Sequence, residues 1–225
     1  MNNRYNSLFF DLDDTLLDFK FDEKNAVLTT LEKHNLPCAE DVYTAYTEIE
    51  NWQIFDLGQE INDKTMVTSR FKVLLKMLEA KDIELIAEDY YAIISNMHKL
   101  KSGALKVLKY LKEKGYKLYL TTNGYADFQH KRIKASRISG YFDGVFISEE
   151  IGSSKPSKSF FDYVMNRIPE SNRSKVLIIG DAPTADVLGG INAKIDTCFL
   201  CENDRQCKYK FTYKISKISQ LTELL

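Results

Sequence analysis

Beyond residue 100 the apolar positions fall into blocks that alternate between two spacings. ALKVLKYLKEKG, Ala104–Gly115, repeats them at helical intervals and stops on Gly115. YKLYLTTNG follows as a strand over Tyr116–Thr121 closed by Asn123-Gly124, and YADFQHKRIKASR reads as the next helix. YFDGVFIS ends in a strand and SKSFFDYVMNRI is helical. KVLIIGD is a continuous apolar run, Val176–Ile179, bounded by Gly180 and Asp181. TADVLGGINA reads as helix despite two glycines, IDTCFL as a fifth strand, and Lys208–Leu225 as a short strand with a last helix, TYKISKISQLTELL. Strands alternating with helices of this length predict an α/β fold, a parallel sheet covered by helices on both faces.

Residues from about 20 to 97 break that alternation. FDEKNAVLTTLEKHNL, EDVYTAYTEIENWQIFDLG, DKTMVTSRFKVLLKMLEA and ELIAEDYYAIISNMH all carry helical periodicity, and none reads as a strand. They predict an all-helical insertion: residues 1–18 and 98–225 would form the core and 19–97 the inserted module. The insert starts about one turn after an acidic cluster, which would place it over the mouth of the sheet.

Composition narrows the class without changing the fold. The chain has 225 residues, 44% hydrophobic and 28% charged, with Lys+Arg 31 against Asp+Glu 32. This balance offers no broad basic field for a nucleic-acid polymer. No run approaches the roughly 20 apolar residues of a membrane span. The opening MNNRYNSLFFDLDD meets acid too soon for a signal peptide, so a cytoplasmic protein is expected. Cys198, Cys201 and Cys207 begin with a C-x-x-C spacing that could suggest a zinc knuckle. With no histidine near in sequence and Phe199-Leu200 between the first two, packing inside a strand is the preferred reading. Cys38 stands alone.

FFDLDDTLL is where chemistry first shows. An apolar run stops at Asp11, Asp13 and Asp14, and like charges crowded at the mouth of a buried element cost free energy unless a cation neutralises them. Side chains at i and i+2 of a strand share a face, so Asp11 and Asp13 would point together while Leu12 packs. Mg²⁺, which takes carboxylates, a carbonyl, waters and phosphate oxygens, is the simplest neutraliser. Three further stretches lie at strand ends. LTTNG offers Thr121, Thr122 and Asn123, a hydroxyl and turn N–H groups suited to a phosphate, although such a turn also serves as an ordinary helix cap. SSKPS places Lys155 before Pro156, and IIGDAPTAD puts Asp181 at a strand end with Asp186 beyond it. Asp181 would complete a metal site, and Asp186 would orient Lys155 or a metal-bound water.

These four stretches, FFDLDDTLL, LYLTTNG, SSKPS and IIGDAPTAD, resemble the motifs of the haloacid dehalogenase (HAD) superfamily over the whole chain. The resemblance implies a Rossmann-like core with a type-1 helical cap at the insert. DLDDTLLDF, SRFKVLL, ISEEIG and GGINA are similar to its YjjG-like branch of pyrimidine 5'-nucleotidases; Lys194 stands where that pattern leads one to expect glycine. The resemblance implies Asp11 as nucleophile through an aspartyl-phosphate, Asp13 as general acid/base, and Mg²⁺ held by Asp11, the Asp13 carbonyl and Asp181. Thr122, Asn123 and Lys155 would hold the phosphoryl oxygens. Dehalogenases proper lack the second aspartate, so Asp13 favours phosphoryl transfer.

Substrate choice would fall to the insert. Trp52, Phe55, Tyr43 and Tyr46 could stack a base, although their spacing fits module core better, and Arg70 could meet a phosphate or a base carbonyl. Lys131, Arg132, Lys134 and Arg137 in HKRIKASR read as a solvated helix face. Hinges are expected near Phe19–Phe21 and Lys99–Gly103. The partner implied is a small phosphorylated metabolite, a nucleotide first, with no membrane, for a monomer or weak homodimer. Sugar phosphates or phosphoglycolate are the alternative substrates. A receiver-like signalling module and an inactive binding relative are the rival classes; the former would be about half this length, and the latter would lack some of the filled catalytic positions.

Overall fold

The computed structural model describes residues 4–49, 64–170, 172–202 and 206–225, the side chains of 64–66 excepted. Two compact units emerge, Met1–Asp18 with His98–Leu225, and Phe19–Met97.

The first unit is built on a six-stranded sheet in the order β3-β2-β1-β4-β5-β6. Its strands are β1 (Ser7–Phe10), β2 (Lys117–Thr122), β3 (Gly144–Ile147), β4 (Val176–Gly180), β5 (Asp196–Leu200) and β6 (Tyr213–Ile215), and every neighbouring pair is parallel. Apolar residues of period two in a fully covered sheet pack to both sides. Leu8, Phe10, Leu118, Leu120, Leu177 and Ile179 meet Val107, Leu108 and Leu111 of the helix Ala104–Glu113. Phe9, Tyr119 and Ile178 meet Phe160, Phe161 and Val164 of the helix Lys158–Met165. Phe10 is level with Leu120 on one side and Ile179 on the other. The chain leaves β1 toward β2 and later returns beside it as β4. β1 and β4 therefore flank the point where strand order reverses, where open sheets of this kind bind ligands at their carboxyl ends.

Local chemistry corrects two expectations. The helix expected over TYKISKISQLTELL is instead β6, a 3₁₀ turn at Ile218–Gln220 and a short helix, Leu221–Leu224. Pairing with Cys198–Leu200 holds Tyr213–Ile215 extended, with Lys214 exposed between the half-buried Tyr213 and the buried Ile215. TADVLGGINA opens as a π-helical turn, Pro183–Leu188, before the α-helix Gly189–Ala193. Lys194, which caps that helix, sits in the left-handed region at φ 56°, where glycine carries no Cβ penalty of about 1–2 kcal/mol.

Cys198 packs in the main core and its thiol is pushed by burial up to about 12, while Cys201 packs with Val187 and Phe199. Among the described residues no helix is long and apolar enough to cross a membrane.

The second unit holds the helices Phe19–Lys33, Glu40–Glu48, Lys64–Met77 and Ile83–Ile94. Phe71 stacks on Tyr90 at 4.4 Å between ring centroids. Tyr46 is buried, donates to Glu23 Oε1 at 2.7 Å and stacks with Tyr43. The Arg70 guanidinium lies 5.5 Å over the Tyr46 ring and 4.0 Å from Glu23. Tyr46 is thus core of this unit. Trp52 and Phe55 lie outside the described residues.

Candidate active site

Both strands at the switch point are followed by an aspartate. Asp11 follows β1, where its N–H continues the ladder to Ile179 O at 2.9 Å, and Asp181 follows β4. Oxygens of Asp11, Asp181 and Asp186 all lie within 4.8 Å of one another. Asp186 comes from the π-helical turn, and Gly180 makes room for it: a Cβ at Gly180 would stand 2.1 Å from Asp186 Oδ2. The Ala182 N–H donates to that same oxygen at 3.0 Å. Thr15, whose hydroxyl is 3.4 Å from Asp181 Oδ1, steadies the third carboxylate.

Lys155 enters from the loop before Lys158–Met165. Its Nζ donates to Asp11 Oδ1 at 2.6 Å and Asp186 Oδ1 at 2.7 Å, and its side chain is only 1% exposed. Burial alone would lower the lysine, but Asp11 and Asp186 more than reverse that and hold it above its ordinary range. Burial, opposed by Lys155 and reinforced by Asp186 and Asp181, lifts Asp11 well above the usual carboxylate range. With all three carboxylates ionised, one ammonium leaves two negative charges unmatched, among groups of which Asp11, Asp186 and Lys155 are buried and Asp181 half-buried. That surplus, with oxygen donors throughout, fits a hard divalent cation such as Mg²⁺.

Asp13 is placed differently from Asp11. β1 ends at Phe10, so the alternation expected to carry both side chains to one face does not extend to Asp13. Its carboxylate receives Arg132 Nη1 on Oδ1 at 2.5 Å and Gln129 Nε2 on Oδ2 at 2.9 Å. Of Asp13, the backbone carbonyl rather than the carboxylate is the group left for the expected metal role. Arg132 does not belong to a solvated face. It is 0% exposed, on the inward stripe Phe128, Gln129, Arg132 and Ile133 of the helix Ala126–Ala135. The run HKRIK hides it among exposed cations; polar residues on an apolar helical stripe were the available signal.

Thr122 ends β2 on the other side of β1, and Asn123 follows it. The Thr122 hydroxyl is buried, 3.1 Å from Gln129 Nε2, whereas Thr121 turns back to Phe10 O at 3.3 Å. The Asn123 amide is committed to the main chain of Lys155: Nδ2 donates to its carbonyl and Oδ1 accepts its N–H, both at 2.9 Å. A phosphate contact from Asn123 would therefore come from its backbone.

A family model described as haloacid dehalogenase-like hydrolase matches residues 5–194. The HAD-hydrolase YfnB of Bacillus subtilis is 35% identical over 99% of this chain and 96% of its own. Its crystal structure bound to magnesium superposes with a TM-score of 0.86, covering 99% of both chains. Pyrimidine 5'-nucleotidase PynA of Streptococcus pneumoniae is 32% identical over 98% of this chain and 95% of its own. Pyrimidine 5'-nucleotidase YjjG of Escherichia coli is 28% identical, over 99% and 98% respectively.

Proposed function

The chain belongs to the haloacid dehalogenase-like hydrolases, and from that premise we propose a Mg²⁺-dependent phosphatase of small phosphate monoesters, with pyrimidine nucleoside 5'-monophosphates as substrates. The observation that carries the reading is the convergence of Asp11, Asp181 and Asp186 around Lys155 at the switch point. The names of the nucleotidases PynA and YjjG support the substrate class. In this reading the unit Phe19–Met97 acts as a cap that selects the substrate, and the sheet-bearing unit is the catalytic core.

Asp11, Asp181 and the Asp13 carbonyl would hold the cation. When bound, Mg²⁺ supplies the positive charge that lets a phosphate dianion approach a carboxylate. An Asp11 oxygen attacks phosphorus as the ester P–O bond breaks, and Asp13, entering the step protonated, gives its proton to the departing oxygen and is left a carboxylate. Water then attacks the aspartyl-phosphate while Asp13 takes its proton, and the bond to Asp11 breaks to release phosphate. Lys155 screens the phosphoryl charge and is kept in place by Asp186 and by the Asn123 amide. The Thr122 hydroxyl and the Asn123 backbone N–H would hold phosphoryl oxygens, the Gly124 N–H being donated to Ser148 Oγ at 3.0 Å.

Phosphate release with Mg²⁺ across nucleoside monophosphates, sugar phosphates and phosphoglycolate tests this. Pyrimidine monophosphates should lead, and Asp11→Asn should lower turnover on the order of 10⁴-fold or more while remaining folded. Sugar phosphates leading the series would discard the substrate class; an active Asp11→Asn would discard the mechanism.

A further inference from the structure

Resting on the phosphatase reading, we infer that Arg132 and Gln129 are positioning residues for the general acid, a buried clamp that aims the Asp13 carboxylate at the leaving oxygen. The helix Ala104–Glu113 fills its inward stripe with Ala104, Val107, Leu108 and Leu111. The helix Ala126–Ala135 instead buries a guanidinium and an amide on its stripe. Burying a cation costs several kcal/mol unless it is paired and hydrogen-bonded. An apolar residue would pack there at no such cost, so the charge has a use.

Each Asp13 oxygen receives its own donor, Arg132 Nη1 at 2.5 Å and Gln129 Nε2 at 2.9 Å. A carboxylate has about four lone-pair sites, so one on each oxygen is left for substrate or water. The clamp is itself held. Gln129 Oε1 accepts from Arg132 Nη1 at 3.1 Å, which orients the amide, and the guanidinium lies 5.0 Å over the Phe128 ring. Gln129 Nε2 also reaches the Thr122 hydroxyl at 3.1 Å and the Asn123 carbonyl at 3.2 Å. One buried side chain thus ties the acid to the turn that receives the phosphoryl group. Gly124, at φ 140°, leaves it room: a Cβ there would stand 3.0 Å from Gln129 Nε2.

A residue that aims an acid matters most when the leaving group needs a proton. Single-turnover release of the leaving group would be measured for p-nitrophenyl phosphate and for an alkyl ester, a nucleoside 5'-monophosphate. The proteins compared are wild type, Asp13→Asn, Arg132→Lys, Gln129→Met and Asp13→Asn/Arg132→Lys, each checked for fold by near-UV circular dichroism. Asp13→Asn should slow the alkyl ester by roughly 10²–10⁴-fold and the aryl ester far less. Arg132→Lys and Gln129→Met should show the same selectivity at roughly 10–100-fold, and the double variant should be no slower than Asp13→Asn alone. Equal losses on both esters in the clamp variants, or losses that multiply in the double variant, would make the clamp purely structural and overturn the inference. If Arg132→Lys does not fold, Gln129→Met alone decides between these outcomes. An Asp13→Asn without alkyl selectivity would remove the acid assignment itself, and the clamp with it.

Discussion

The two sides of the β1 terminus hold their carboxylates in opposite ways. Toward β4, Asp11, Asp181 and Asp186 crowd around one ammonium, and negative charge is in surplus. Toward β2, Asp13 meets one guanidinium and one amide, so its charge is matched and its oxygens are aimed. In the proposed mechanism, two aspartates separated by one leucine carry different tasks. A surplus attracts a cation; a clamped carboxyl group, once it carries a proton, can hand that proton over in a fixed direction. Under that proposal their surroundings, not their residue type, divide the work.

Substitutions that touch one side only would sharpen this contrast. The largest effect among them is expected from Gly180→Ala, whose methyl group would displace Asp186 from Lys155. Turnover should fall about 10–100-fold, with Mg²⁺ affinity measured alongside; wild-type turnover would mean that Asp186 does not steady the lysine. The next effect is one of pH. Native Asp11 binds its proton more tightly than the unfolded chain does, because burial and then its carboxylate neighbours lift it. The metal-free protein should therefore lose stability as pH rises from the ordinary carboxylate range through the raised value. Mg²⁺ requires the ionised form, so its affinity should climb over the same window and offset that loss. Urea unfolding at several pH values, with and without Mg²⁺, checks both; a Mg²⁺ effect independent of pH would contradict them. The smallest effect belongs to the β2 side. Glu149 Oε2 accepts the Ala126 N–H at 2.7 Å, on the first residue of the helix that carries Arg132. Glu149→Ala should cost about 0.5–1 kcal/mol in thermal unfolding.

Apolar runs that end in acid made the β1 and β4 ends legible in the sequence, because strand and charge are both local patterns. The parallel sheet was legible for the same reason, since its strands and helices alternate at regular lengths. The side-chain contacts that Asn123 and Arg132 make across long separations were not. Asn123 meets the Lys155 peptide 32 residues away, and Arg132 meets Asp13 at a separation of 119. Neither pairing leaves a mark on nearby spacing. Arg132 was obscured by Lys131 and Lys134, which flank it and are exposed. Gln129 carried no motif at all. Lys194 shows the converse: the expectation of glycine was sound backbone physics, and the chain tolerates the strain.

Titration calorimetry of Mg²⁺ into wild type, Asp181→Asn and Asp13→Asn tests the division between the two sides most directly. The expected result is affinity weakened at least about 10-fold in Asp181→Asn and unchanged in Asp13→Asn, whose backbone carbonyl remains. Equal affinity in Asp181→Asn and wild type would contradict it.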